Sequence, residues 1–199
     1  MAWDTARTKR LLLEAAVEEF AEHGPTGARV DRVAAAAKVN KERIYQYFGG
    51  KEKLFTAVLA SELAKAAEAV PLPAPGEGDL GDFAGRLYDY HGAHPHLLRL
   101  LSWEGLRDGR APVAAEEERT AHYADKAAQI AALQLDSTVT ADFEPGRLFG
   151  AAFALATWWL TMPQLARMSL SGADGSPEAT RDALVRMVRA LTEPGSPAR

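Results

Sequence analysis

Apolar residues recur along this chain at intervals of three and four, and no alternating apolar and polar stretch of useful length appears, so the pattern predicts an all-α protein. The first period runs from about Thr5 to His23. Leu13, Ala16, Val17 and Phe20 form its stripe, Leu12 widens it, and Gly24 supplies the left-handed position past its end, with Gly24-Pro25-Thr26-Gly27 as a turn. Val30, Val33, Ala34 and Ala37 fall at i, i+3, i+4 and i+7 on a short second helix, and Lys38, Val39 and Asn40 break the pattern. From Lys41 to Phe48 the apolar Ile44 and Phe48 recur four apart, which predicts another short helix with Asn40 as its N-cap. A fourth helix starts near Lys51 and runs to about Val70, burying Leu54, Phe55, Val58, Leu59, Leu63 and Ala66. The Pro/Gly-rich residues 71–79 cannot continue it and mark a break.

Beyond the break helical periodicity resumes. Leu80, Phe83, Ala84, Leu87 and Tyr88 mark one helix; Pro95 opens another bearing Leu97, Leu98, Leu101 and Trp103. Pro112 opens a long one with Tyr123, Ala127, Ile130 and Ala131 on its stripe. Pro145 to about Leu170 is apolar on nearly all faces, which means burial, and Pro163 should kink or interrupt it. Ser176 as N-cap and Pro177 open the last helix, with Ala183, Leu184, Met187, Val188 and Leu191 on one side.

Two short helices joined by a tight turn are a helix-turn-helix, whose second helix enters the DNA major groove N-terminal end first. The side chains suit that task. Lys41, Arg43 and Gln46 are long donors on the second short helix, and the favoured major-groove pairings are Arg or Lys to guanine and Gln to adenine. The alternative for Lys41 and Arg43 is a solvated face. Lys51 follows Gly49-Gly50 at a helix start, where its ammonium and the free N–H groups could bind one phosphate. Arg7, Lys9 and Arg10 either reach phosphates as an arm or form a solvated basic end.

The segment from about Thr8 to Phe55 resembles the DNA-binding domain of the tetracycline-repressor-like (TetR/AcrR) family of bacterial transcription regulators. The resemblance rests on Phe20-Ala21-Glu22-His23-Gly24, the Val33-Ala34 pair, Val39-Asn40-Lys41, Ile44-Tyr45-Gln46-Tyr47-Phe48 and Lys51-Glu52-Lys53-Leu54-Phe55. It implies a three-helix DNA-binding domain over residues 1–55 and a helical regulatory and dimerisation domain over 56–199, joined by the helix to about residue 70. Motion along Glu52 to Val70 would then change the distance between the two recognition helices. It also implies phosphate contacts for Tyr45 and Tyr47, although partial core packing is an equal alternative for Tyr47. Two positions depart from the family pattern. Arg29 stands where many relatives have a capping Thr, so either a neighbouring group caps the helix or Arg29 contacts phosphate. Lys38 stands where relatives usually place Gly, and a non-Gly residue at positive φ costs roughly 1–2 kcal/mol.

The formal net charge of −4 over 199 residues opposes DNA binding, but residues 1–55 hold ten Lys/Arg against eight Asp/Glu, about +2. Phosphate contacts must come from local placement. With no cysteine there is no disulfide, thiolate nucleophile or cysteine-based zinc site. No apolar run is long enough to span a bilayer, and a cytoplasmic protein with no membrane partner is expected.

Tyr88, His91, Leu98, Trp103, Tyr123, Phe149, Phe153, Trp158 and Trp159 offer aromatic surface with polar tips, suited to a small apolar or aromatic ligand, or else form plain core. Neither a cofactor nor a metal is expected, since Pro95 interrupts the His91, His94 and His96 run. Phe149, Gly150, Ala154 and Thr157 with Leu184, Met187, Val188 and Leu191 are expected at a homodimer interface of four helices about a two-fold axis. Such a dimer suits a palindromic operator in double-stranded DNA, whose half-sites lie roughly 34 Å apart. The expected function is a homodimeric transcriptional repressor released by a small ligand. The alternatives are a helical small-molecule-binding protein or enzyme without operator binding, or a regulator with no effector.

Overall fold

The computed structural model describes residues 2–106, 113 and 115–194, with the backbone alone for residues 2–4. In chain order its helices are α1 (Ala2–Gly27), α2 (Val30–Ala37), α3 (Glu42–Phe48), α4 (Lys51–Ala69), α5 (Leu80–Ala93), α6 (Pro95–Gly105), α7 (Glu116–Leu135), α8 (Pro145–Thr161), α9 (Pro163–Ser169) and α10 (Pro177–Thr192). Among the described residues there is no strand, so the all-α expectation stands. Pro112 lies outside the described residues. The packing divides the chain into two units. One holds the residues up to Ala66 together with 95–116; the other holds Ala67–His94 and residues from Glu117 onward. The division thus falls inside α4, and α6 groups with the first three helices, whereas the family resemblance implies a boundary after residue 55 and the Pro/Gly pattern a break at 71–79.

In the first unit α1 packs against α2 and α6. Its inward line is Leu12, Ala16 and Phe20, with Val17 beside it, so Leu12 is core and Leu13 only half-buried, the reverse of the expected weighting. Packing on two sides broadens the buried face beyond one stripe. The Phe20 and Phe55 rings meet edge-on at 5.2 Å. The expected turn at Gly24 is a kink: Gly24 takes φ 65°, ψ 173°, and the helix resumes through Pro25 to Gly27. A Cβ at Gly24 would lie 2.8 Å from the Trp103 ring. Trp103 Nε1 also donates to Ala21 O at 3.2 Å, which anchors α6 on α1. On α6 the buried leucines are Leu97, Leu98 and Leu100, with Leu101 half-buried.

On α4, Leu54, Phe55, Val58 and Leu59 are buried as expected, but Leu63 and Ala66 are only half-buried, and Glu62 takes the next core position. Lys65 Nζ donates to Glu62 Oε1 at 2.6 Å and His96 Nε2 to Glu62 Oε2 at 2.9 Å. Burial pushes this carboxyl up, yet the bonds from Lys65 and His96 outweigh it and hold it below the ordinary carboxylate range.

In the second unit α5 packs against α8 and α10, and α8 against α10. Leu80, Phe83, Ala84, Leu87 and Tyr88 of α5 are buried with Leu148, Ala152, Ala156, Leu184, Val185 and Val188. A Cβ at Gly81 would lie 2.8 Å from Val185 O, and one at Gly85 2.9 Å from Val185 Cγ2, so these glycines let α10 approach. On α7 the buried side chains are Lys126, Ile130 and Leu133, while Tyr123 is exposed and Ala127 and Ala131 half-buried. Burial pushes the Lys126 ammonium pKa down. The expected run from Pro145 to Leu170 is divided at Met162 (φ −123°, ψ 53°), one residue before Pro163, into α8 and α9. Ser176 Oγ caps α10, accepting from Ala179 N at 3.2 Å.

Candidate nucleic-acid interface

The turn between α2 and α3 is built as the sequence implies. Lys38 ends α2 in the left-handed region at φ 54°, ψ 40°, and Lys38 N–H and Val39 N–H close back on Ala35 O and Ala34 O. Asn40 Oδ1 accepts from Glu42 N–H at 3.4 Å, a long cap, and Lys41 already has helical dihedrals. Val33, Ala34 and Ala37 of α2 and Ile44 of α3 are buried, whereas Val30 and Phe48 are only half-buried.

Arg29 makes no side-chain cap. Its backbone N–H instead donates to Glu19 Oε1 at 2.7 Å, and the Arg32 guanidinium pairs with the same carboxylate through Nε at 2.9 Å and Nη2 at 2.6 Å. Burial pushes Glu19 up, but Arg32 and the Arg29 N–H outweigh it, and the carboxyl sits below its ordinary range. Glu19 therefore joins α1 to the start of α2 and leaves the exposed Arg29 side chain pointing away from capping work. The sequence reading missed both Glu19 and Glu62. Glu62 carried a signal, since it sits three, four and seven residues after Leu59, Val58 and Phe55 on the apolar stripe; nothing in the pattern marked Glu19.

Lys41, Arg43, Tyr45 and Gln46 are all exposed on the outer side of α3, with Tyr45 at 55%. They do not wait in isolation. Lys41 Nζ pairs with Asp31 Oδ1 at 3.1 Å, and that bond raises its pKa. Arg43 Nη1 donates to Gln46 Oε1 at 2.8 Å and to Tyr47 OH at 3.4 Å. Tyr47 is half-buried, with the Arg43 guanidinium 5.8 Å and the Lys9 ammonium 5.7 Å from its ring centre. Lys51, expected to bind a phosphate, has backbone partners. Its ammonium donates to Thr26 O at 3.0 Å and Ala28 O at 3.2 Å, so two of its protons hold the α1–α2 connection.

The expected ligand-pocket residues divide between the two units. Phe149 lies 6.3 Å from Phe83, 5.9 Å from Tyr123 and 6.4 Å from Phe153, whose ring is 5.9 Å from His91. Tyr88 is buried in the same unit, and burial raises its pKa. Leu98 and Trp103 belong to the first unit, where Trp103 is committed to Gly24 and Ala21, and Trp158 is exposed against Trp159. A cavity of about 450 Å³ in the second unit is lined by Asp79, Thr138, Arg186, Arg189 and Glu193 and by none of the expected aromatic residues. The described residues contain no group of three or more His, Asp or Glu able to hold a metal, and no helix long and apolar enough to cross a membrane.

Three of the expected interface residues are covered inside a single chain: Leu184 and Val188 are fully buried and Thr157 nearly so. Leu184 and Val188 face α5 and α8 because α10 turns its most apolar side inward. Gly150, Ala154 and Met187 are exposed, and Phe149 and Leu191 half-buried. Trp158, Met162, Leu165 and Met168 extend the exposed apolar surface along α8 and α9.

Comparison with known proteins covers most of the chain. Residues 12–58 match the model for bacterial regulatory proteins of the tetR family, and residues 79–190 match the tetracyclin repressor-like C-terminal domain. The HTH-type transcriptional repressor SCO4008 of Streptomyces coelicolor is 40% identical over 192 residues, 96% of this chain and 98% of that protein. The HTH-type transcriptional repressor NicS of Pseudomonas putida is 37% identical over 108 residues, 52% of this chain and 50% of that one. Among solved structures, the transcriptional regulator SCO4942 of Streptomyces coelicolor superposes with a TM-score of 0.79 at 33% identity, covering 93% of this chain and 98% of its own. The chain belongs to the tetR family of bacterial regulatory proteins and is a DNA-binding transcription regulator rather than an enzyme.

Proposed function

We propose that this regulator is a cytoplasmic homodimeric repressor that holds a palindromic operator with α3 of each copy and is released when a small apolar or aromatic ligand enters the second unit. The observation that carries the reading is α3 itself: Lys41 just before it and Arg43, Tyr45 and Gln46 on it stand exposed, and its buried side is Ile44. Residues 1–55 are the reading head in this account, with Asn40 setting the start of α3 and Tyr47 supporting Arg43. Lys51 and Glu19 position the helices, and Arg29, exposed beside them, is a phosphate contact. The exposed apolar line of Gly150, Ala154, Trp158 and Met162, four residues apart on α8 and its end, together with Met187 of α10, supports a second copy as partner. The cluster of Phe83, Phe149, Phe153 and Tyr123 supports an apolar or aromatic effector.

The test is selection of bound duplexes from a random library, followed by affinity as a function of salt. An enriched palindrome whose affinity falls steeply with salt, and is lost in the Lys41→Ala, Arg43→Ala double variant, is the expected result. No enriched sequence at any salt would refute operator binding.

A further inference from the structure

We propose that Arg43 and Gln46 act as one unit that presents only hydrogen-bond donors to the major groove, so that it selects guanine and Gln46 is not an adenine reader. This rests on the operator-binding reading above. The reasoning starts from what each group can do. A guanidinium has donors and no acceptor, so the Gln46 atom 2.8 Å from Arg43 Nη1 must be the amide oxygen, whichever way the amide would otherwise turn. Reading adenine through both its N6 amino group and N7 requires that same oxygen as acceptor, together with the amide N–H₂ as donor. The oxygen keeps a second lone pair, but an adenine N6 amino group reaching it would crowd against the guanidinium's own N–H donors, so Gln46 meets the groove with its N–H₂.

The same bonds leave Arg43 ready for one base. Nη1 is taken up by Gln46 Oε1 and Tyr47 OH, while the Tyr47 ring lies 5.8 Å from the guanidinium carbon. The Nε and Nη2 hydrogens point the same way from the opposite edge, and a pair of parallel donors matches O6 and N7 of guanine. Adenine would bring its N6 amino group against a donor. Gln46 and Tyr47 therefore act as positioning residues for Arg43, holding a flexible side chain in the arrangement it needs before DNA arrives.

The test uses the full chain and the palindrome recovered by selection, with each base pair of one half-site replaced in turn and affinities measured by competition at fixed salt. One G·C pair is expected at which adenine, or 7-deazaguanine lacking the N7 acceptor, weakens wild-type binding about 10- to 100-fold. Arg43→Ala should flatten that preference to within about two-fold, the size of ordinary non-contact effects. Gln46→Ala should weaken it at the same base pair and relax no A·T pair, and Gln46→Glu, which keeps the acceptor and loses the donors, should preserve it. Both sites are exposed on α3, and unchanged melting temperatures of the three variants would verify intact folding. Relaxation of an A·T pair in Gln46→Ala with guanine preference intact would overturn the proposal. So would Arg43→Ala weakening all duplexes equally while lowering the salt slope by about one, the signature of a phosphate contact. If no palindrome is enriched, operator binding itself has failed and the guanine reading falls with it; if a palindrome is enriched without the guanine preference, only the latter falls.

Discussion

The two units hold their helices in different ways. In the first, α2 and α3 have 8 and 7 residues, about two turns each, too short to persist by themselves, and between them they bury only Val33, Ala34, Ala37 and Ile44. Polar contacts to other elements complete them: Glu19 receives Arg29 N–H and Arg32, Lys51 holds Thr26 O and Ala28 O, and Lys41 meets Asp31. In the second unit α5, α8 and α10 have 14, 17 and 16 residues and share a continuous apolar core. Its cross-helix ion pairs, Arg181 to Asp89 and Arg189 to Asp79 and Asp82, lie at the exposed margin. The difference follows from what each must leave open. A helix that offers one face to DNA cannot bury that face, so specific hydrogen bonds fix its position in place of packing. The second unit relies on contact area, and α8 and α9 still carry exposed apolar side chains.

The contrast is broken most forcefully in the second unit. Leu184→Ala, at a fully buried site, should lower stability by about 2–5 kcal/mol in urea unfolding, and the loss should not depend on protein concentration because Leu184 is covered within one chain. A concentration-dependent loss would return Leu184 to the subunit interface. In the first unit Glu19→Ala removes the acceptor of both Arg29 N–H and Arg32 and should cost about 1–3 kcal/mol, with a matching loss of DNA affinity. Lys51→Met should cost about 1 kcal/mol of stability while leaving the salt slope of DNA binding unchanged. A slope lower by about one would make Lys51 a phosphate ligand after all.

Acid sharpens the comparison further. Glu19 and Glu62 are held below the ordinary carboxylate range in the folded chain, so the unfolded chain binds protons more readily than the folded one. Their contribution is present above that range and is lost as pH falls through it toward the folded values. Glu62→Gln should therefore flatten the acid limb of the stability curve followed by circular dichroism, and an unchanged limb would show that Glu62 keeps its proton affinity on folding. The smallest effect belongs to Lys38. Replacing it with Gly removes left-handed strain of roughly 1–2 kcal/mol and adds back about 0.5–1 kcal/mol of backbone entropy, a net gain of about 0.5–1 kcal/mol, read as a higher melting temperature. An unchanged or lower melting temperature would mean that the side chain earns its conformation elsewhere.

Much of the fold could be read from periodicity. The limits of α2, the break at Met162 before Pro163, the Ser176 cap and the buried face of α5 all follow from spacing and turn chemistry, which act within a few residues. The left-handed Lys38 was legible only through the resemblance, which implies glycine at that position. Stripe assignments slipped by one residue at Leu12 for Leu13, Leu100 for Leu101 and Glu62 for Leu63, because a helical period bounds a face only to about one position and the neighbouring helices choose within it.

The sequence by itself thus determined that the chain is helical, where its helices break, and which short helix carries long donors beside a tight turn. Only the tertiary structure decided the partners. Lys51 turned to two carbonyls, Trp103 to the kink at Gly24, and Leu184 and Val188 to the interior. Each depends on residues 23 or more positions away. Local pattern reports the tendency of a side chain to be inside or outside; the atom it meets there is set by how distant helices pack.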